Sequence, residues 1–364
     1  MKFMVNGEVF CRIASSVIKC LNLKDSGAQT LFLIEDNKLI IRCTSDTSYS
    51  KGEVLIYNVE QEKDEDTKWL VSNLQLASIL SILSNYKDKT AIQFVMSSNQ
   101  RIFEVRYEKL KLKLPIEEAP IFEDVEEIRK IASVDKSEFM SNVSDLMKLA
   151  NSDPNSDHPM TCVHFFIEPT NLTLVATDAI GLAEIVIPID DCEVSEIKLV
   201  KPNQLSLLMT PVKEDSIITL ISTDTKFGYE DSNGTILLVS VSDYPHIDYK
   251  QFKNLVSSTN RMKFSKDELK FAVDSLFRLC NTNNRQAFIF KDNCLVVRNE
   301  NEDMFKISTD SQFDDTVMSI NYPSLSSLLN IMSSDNYIEW GEKEGGIRAI
   351  KFTCINTNED GEEE

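Results

Sequence analysis

The 364-residue chain is predicted to be an α+β protein of three like domains, each with two helices packed on antiparallel sheet. Three observations carry this prediction. A Val/Ile-rich strand end runs into a short amphipathic helix at residues 70–74, 199–205 and 319–325, with 129 residues from Val71 to Val200 and 120 from Val200 to Ile320. A helix with apolar residues at three- and four-residue spacing opens each third. A hairpin with Asn in its turn follows each of those helices. A period of this length marks a repeated structural unit.

The elements follow in chain order. The first opening helix is read over residues 9–21, with Ile13, Val17, Cys20 and Leu21 as its apolar stripe. Its counterparts are residues 137–151 (Phe139, Val143, Leu146, Met147, Ala150) and 265–281 (Leu269, Val273, Leu276, Cys280), 128 residues apart at Ser137 and Ser265. The hairpin over residues 32–42 matches that over 288–298 at an offset of 256, twice the same period, and the middle copy covers 165–175. Asn tolerates the left-handed backbone such turns require. Two proline-bearing crossovers, 119–124 and 244–249, divide the chain into domains 1–124, 125–250 and 251–357. The charged stretch 60–68 reads as a solvated loop, and the acidic residues 358–364 as a disordered tail.

Composition narrows the function. Lys and Arg number 38 against 58 Asp and Glu, a formal charge of −20, so the outer surface as a whole repels phosphate. Nucleic-acid contact then requires basic residues segregated on one face. Eight scattered cysteines without a Cys-x-x-Cys pair predict reduced thiols, with no disulfide framework and no zinc site. No signal-like or membrane-spanning run is read, which predicts a cytoplasmic protein. There is no glycine-rich phosphate loop and no nucleophile elbow. His158, His164 and His246 stand in unrelated contexts, with His164 inside an apolar strand. The pair Asp190-Asp191 reads as a solvated loop before it reads as a metal-binding pair. The reading is of a non-enzyme without catalytic residues, metal or cofactor.

The middle third carries Leu172-Thr173-Leu174-Val175-Ala176-Thr177-Asp178-Ala179-Ile180-Gly181-Leu182-Ala183. This segment resembles the Leu-x-x-Val-Ala-Thr-Asp-Gly-x-Arg-Leu-Ala stretch of the bacterial DNA polymerase III β sliding clamps. Leu114-Pro115 with residues 119–124, and Ser242-Asp243-Tyr244-Pro245, resemble that family's two interdomain linkers. The resemblance implies the DNA clamp fold, a head-to-tail homodimer closing a ring around duplex DNA, and tethering of the polymerase. Ring closure would join residues 101–110 to residues 276–281 of the next subunit. DNA contact would be sequence-independent, through Arg12, Lys19, Lys148, Lys201, Lys270 and Arg278 on the ring-lining helices. Asp145 and Asp274 on those helices would thin the inner potential.

The resemblance also implies a cleft that takes short peptide motifs of the polymerase and the clamp loader. Its positions are Thr177, Ile180, Gly181, Leu182, Pro245, Ile247, Cys354 and Ile355. Two departures stand out. The family's Gly-x-Arg is Ala179-Ile180-Gly181 here, which removes an Arg from the cleft wall. Its Met/Pro-containing terminus is replaced by Thr353-Cys354-Ile355-Asn356-Thr357 and an acidic stretch, so a different peptide is expected. The alternatives are a three-domain interaction scaffold that never encircles DNA, and a nuclease using Asp190 and Asp191.

Overall fold

The computed structural model describes residues 1–21, 28–60, 67–86, 90–96, 101–119, 127–150, 158–178, 181–190, 192–209, 217–253, 260–279, 285–309, 315–332, 335–341 and 350–354. One succession of elements recurs: strand, helix, four strands, helix, then closing strands. The first copy is β1 (Lys2–Val5), α1 (Gly7–Lys19), β2 (Gln29–Glu35), β3 (Lys38–Thr44), β4 (Ser48–Glu60), β5 (Lys68–Val71), α2 (Asn73–Ser84), β6 (Ile92–Met96), β7 (Ile102–Tyr107) and β8 (Leu110–Glu118). The second is β9 (Arg129–Asp135), α3 (Lys136–Leu149), β10 (Val163–Glu168), β11 (Asn171–Thr177), β12 (Leu182–Pro188), β13 (Glu196–Val200), α4 (Pro202–Leu208), β14 (Ile217–Ser222), β15 (Lys226–Asp231) and β16 (Ile236–Ser240). A short helix α5 (Tyr249–Lys253) precedes the third. That copy is β17 (Asn260–Ser265), α6 (Lys266–Arg278), β18 (Arg285–Lys291), β19 (Cys294–Arg298), β20 (Met304–Ser308), β21 (Thr316–Asn321), α7 (Tyr322–Ile331), β22 (Asp335–Trp340) and β23 (Ile350–Cys354). The strands pair antiparallel, β1 with β4, β4 with β16 and β22 with β23 among them, as the α+β reading requires.

Local chemistry sets the ends of these elements. Asn6 caps α1, its side-chain oxygen accepting from the Glu8 and Val9 amides at 3.0 Å. The helix therefore runs two residues ahead of the span predicted from spacing, and Cys20 and Leu21 lie past its end. Ser265 caps α6 in the same way. In the first and third hairpins the turn pairs Asp36-Asn37 and Asp292-Asn293 are left-handed, with φ of 49° and 58°, and 50° and 56°. This is the geometry that matches a two-residue turn to the twist of its strands. The middle hairpin turns through Pro169-Thr170 without it.

The chain divides into two compact units. The first comprises Met1–Ser141, Phe165–Thr173 and Val186–Asp243. Within it a twelve-stranded sheet runs β1-β6-β7-β8-β5-β2-β3-β4-β16-β15-β14-β9. Strand β16 of the second copy pairs with β4 of the first, Ile236 opposite Lys51 and Val239 opposite Ser48, so the two copies share one continuous sheet. Under the first copy lies a core of Phe3, Phe10, Phe32, Phe94 and Phe103, stacked or edge-on at 5.0–6.5 Å.

The second unit comprises Asn142–His164, Leu174–Ile185 and Tyr244–Glu364. It holds a three-stranded sheet, β17-β22-β23, and a four-stranded one, β20-β19-β18-β21. Both pack on α6 and α7 around Phe288, Phe290 and Trp340, the last two stacked at 3.8 Å. The middle copy's hairpin strands form a sheet ordered β12-β11-β10-β13. The predicted crossover at 244–249 leads into α5, whereas residues 120–124 of the other crossover lie outside the described residues. Of the predicted loop 60–68, Glu60 ends β4 and Lys68 begins β5, and 61–66 are outside the described residues, as is the acidic tail.

Candidate partner cleft and helix faces

Strand β11 ends at Thr177 and β12 begins at Leu182, and the described residues between them, Asp178 and Gly181, are held close together. The Thr177 hydroxyl donates to the Gly181 carbonyl at 2.6 Å, and the Gly181 amide donates to Asp178 Oδ1 at 2.6 Å. The Asp178 amide returns a bond to the Gly181 carbonyl at 3.3 Å. Thr177 is thus buried and satisfied. A Cβ at Gly181 would lie 3.1 Å from Leu328 Cδ1, so α7 approaches this backbone closely. Leu182 and Leu328 are both half-buried, leaving apolar surface beside Gly181.

The other predicted cleft residues are placed as follows. Pro245 is exposed and Ile247 half-buried in the segment before α5. Cys354 is the last residue of β23, and Ile180 and Ile355 lie outside the described residues. Sequence gives no sign of Leu328, because it belongs to the same apolar run as Leu325 and Leu329, which are core. On the same helix, Tyr322 stacks on Phe277 at 3.6 Å and donates to Asp274 at 3.1 Å.

The six predicted DNA-facing residues fall into two groups. Lys19, Lys148 and Arg278 are exposed, and Lys19 and Arg278 stand in the last turns of α1 and α6, where the helix dipole favours a cation. Lys148 pairs with Asp145 at 2.6 Å. Arg12, Lys201 and Lys270 are half-buried. Arg12 donates to Asn233 in the β15–β16 turn at 3.1 Å, linking the first helix to the second copy, and Lys270 donates to Asn330 on α7. Lys201 precedes α4 at its N-terminus. The second helices α2, α4 and α7 carry no charged residue. Basic and acidic groups are mixed on the first helices, with Glu8, Glu138, Asp267 and Glu268 in their first turns.

Several titratable groups elsewhere are engaged in structure. His164 is buried in β10, its Nε2 3.0 Å from the Pro159 carbonyl, and burial lowers its pKa, with His246 adding to that direction. In the first unit, Arg129 reaches Glu196 at 3.1 Å and Asp224 at 2.7 Å, and buried Lys198 reaches Glu196 at 3.2 Å and the Thr223 carbonyl at 2.8 Å. The Ser222 hydroxyl donates to Glu196 as well. These groups tie β9, β13 and β14 together. Asp190 is exposed after β12, and Asp191 lies outside the described residues. Among the described residues no cluster of three or more His, Cys, Asp or Glu could hold a metal ion, and no helix is long and apolar enough to cross a membrane.

No family model and no curated protein sequence matches the chain. Solved structures do match over nearly its whole length. The DNA polymerase III β subunit of Thermotoga maritima is 15% identical, with 98% of this chain and 96% of that chain covered at a TM-score of 0.74. A DNA polymerase sliding clamp from Pseudomonas aeruginosa gives 13% identity, 98% and 97% coverage, and a TM-score of 0.79. The fold is that of a sliding clamp. The clamp from Bacillus subtilis agrees, at 14% identity, 98% and 96% coverage and a TM-score of 0.74. Another Pseudomonas aeruginosa clamp, at 13% identity and a TM-score of 0.77, was solved bound to griselimycin.

Proposed function

We propose that this chain is a divergent DNA polymerase III β-type sliding clamp, a non-enzymatic cytoplasmic processivity factor. Two copies close head-to-tail around duplex DNA, and linkage rather than tight grip keeps the tethered polymerase at its template. Domains 1–124, 125–250 and 251–357 are its working units, with 358–364 as a tail. The observation that carries the reading is the clamp fold along the whole chain, with a β4–β16 seam between copies.

That seam is a template for ring closure. Its counterparts by repeat are β8 in the first copy and β20 in the third. Among the described residues, residues 110–114 of β8 pair with β7 alone, since β5 takes up only Ile116, Glu117 and Glu118, and β20 is the edge of its own sheet. Exposed Lys109, Lys111 and Lys113 line the first edge, and exposed Glu300, Glu302 and Asp303 lead into the second. Apolar surface adjoins the acidic edge, with Leu279 and Met304 each 56% exposed. A contact between unlike patches forms a ring when its rotation closes. Opposite charges steer such an encounter and fix its register.

DNA contact is assigned to Arg12, Lys19, Lys148, Lys201, Lys270 and Arg278, and partner peptides to the apolar surface at Thr177–Leu182, Pro245, Ile247 and the β23 end, with Leu328 added. The test is particle mass and shape, then retention on DNA. A particle of twice the 41.4 kDa chain mass with a central hole is expected, retained on circular DNA and lost after linearisation. A monomeric particle, or retention indifferent to DNA ends, would overturn the clamp reading in favour of a scaffold.

A further inference from the structure

In the first copy β1 is held on both sides, by β6 and by β4, with Val5 opposite Ile56 and Met4 opposite Tyr57. The second copy reaches the same point and then diverges. The Ile56 amide donates to the Asn37 carbonyl of the hairpin turn at 2.9 Å, and Ile189 repeats this with Thr170 at 3.0 Å. Beyond it the chain stays with its own hairpin, the Cys192 amide donating to the Pro169 carbonyl at 2.8 Å. Strand β9 pairs with β14 and, among the described residues, not with β12.

A cavity of about 300 Å³ lies where these two strands part. Buried Val134, Phe139 and Ile187 give it apolar walls, and exposed Asp135 and Glu138 give it two carboxylates. None of its described lining residues is basic. Glu138 accounts for the difference from the first copy. Asn6 caps the Val9 amide at 3.0 Å and Asp135 caps the Glu138 amide at 2.9 Å, so Glu138 stands where Val9 packs on the first core. A carboxylate has replaced an apolar plug. The neighbouring cations are engaged elsewhere: Lys130 with Glu230 at 3.0 Å, Arg129 with Asp224 and Glu196, and Lys136 over the Tyr229 ring at 5.5 Å. A cavity of this size takes a small ligand or one long side chain. Apolar walls beside carboxylates suit an aliphatic stem that ends in positive charge.

We propose that the cavity between β9 and β12 binds a small organic cation, a guanidinium or ammonium on a short aliphatic stem. The stem lies against Phe139 and Ile187, and the head group pairs with Asp135 and Glu138. A free amine and the Lys or Arg side chain of a partner protein share this chemistry. The site depends neither on ring closure nor on DNA.

The test follows the Ile187 methyl resonance of the full chain, labelled at isoleucine methyls, during titration with n-butylguanidinium. A saturable shift is expected. Neutral n-butylurea, of the same shape, should bind about fivefold or more weakly, as loss of a charged pair implies. Asp135→Asn with Glu138→Gln should bring the cation down to the level of the urea, since Asn retains the cap on α3. Glu138→Val, which restores the residue type of the first copy, should abolish the shift while amide protection of β9 and β14 is unchanged. A short peptide with a central arginine separates the two sources. Binding about tenfold tighter than n-butylguanidinium, from added main-chain contacts, assigns a partner's side chain, and equal or weaker binding assigns a free amine. Equal affinity for the cation and the urea, a shift that survives the carboxamide or valine variants, or no shift at Ile187 would overturn the proposal.

Discussion

Alanine at Gly228 is expected to break the strand pairing that carries the second copy onto the first. Gly228 lies in β15 opposite Leu238, and an added Cβ would sit 1.9 Å from the Leu237 carbonyl oxygen and 2.9 Å from its carbon. The obstacle is backbone of β16, which has no rotamer to change. Relief requires β16 to move by about 1 Å or more, beyond what a ladder bond near 2.9 Å tolerates. Two bonds lost at about 1 kcal/mol each, with buried groups left unsatisfied at about 1–3 kcal/mol, give roughly 3–5 kcal/mol. A chain of this size need not unfold in one step, so the assay is hydrogen-exchange protection of β15, β16 and β4. Gly52→Ala is the internal comparison. Its Cβ would meet Ile13 Cγ2 at 2.3 Å, a side-chain methyl, and overpacking of that kind costs about 1–3 kcal/mol. Equal losses in the two variants, or less than about 1 kcal/mol for Gly228→Ala, would refute the argument.

Further outcomes follow from charge and burial. Lys198→Met should lower protection of β13 and β14 by about 3 kcal/mol, because it leaves Glu196 short of a buried partner; a change under about 1 kcal/mol would show that Arg129 alone suffices. Buried His164 binds its proton less readily folded than unfolded. Stability near β10 should therefore fall as pH drops below the ordinary value of 6.5 and keep falling toward the lower folded value, and His164→Phe should remove that component from a pH series of exchange rates. Reversing charge at Lys19, Lys148 and Arg278 together should weaken DNA retention and flatten its log–log salt dependence by up to about 3, while the dimer persists in native mass measurements. An unchanged slope would remove these residues from the DNA face.

Much of the architecture was legible because it repeats and because its signals are local. Asn37 and Asn293 adopt the left-handed turns their type favours, and both hairpins formed where the offset of 256 placed them. The opening helices formed with Phe139, Val143 and Leu146, and Leu269, Val273 and Leu276, inward. Helix α1 starts two residues before the span that spacing predicts, because Asn6 as a cap outweighs the apolar period. The candidate cleft was legible only in part. Thr177 and Gly181 do meet, but as neighbours between β11 and β12, and Leu328 came to them from about 150 residues away in sequence, where spacing speaks only of core.

Sequence alone determined the triple succession of helices and hairpins, since turn chemistry and amphipathic period act over a few residues. Tertiary structure alone decided where the copies join, that β16 completes the sheet of β4, and that β23 has only β22 beside it among the described residues. Strand partners are chosen by long-range hydrogen bonding between backbones that are chemically alike. The side chains of β8, β16 and β23 therefore mark each as a strand without naming its neighbour.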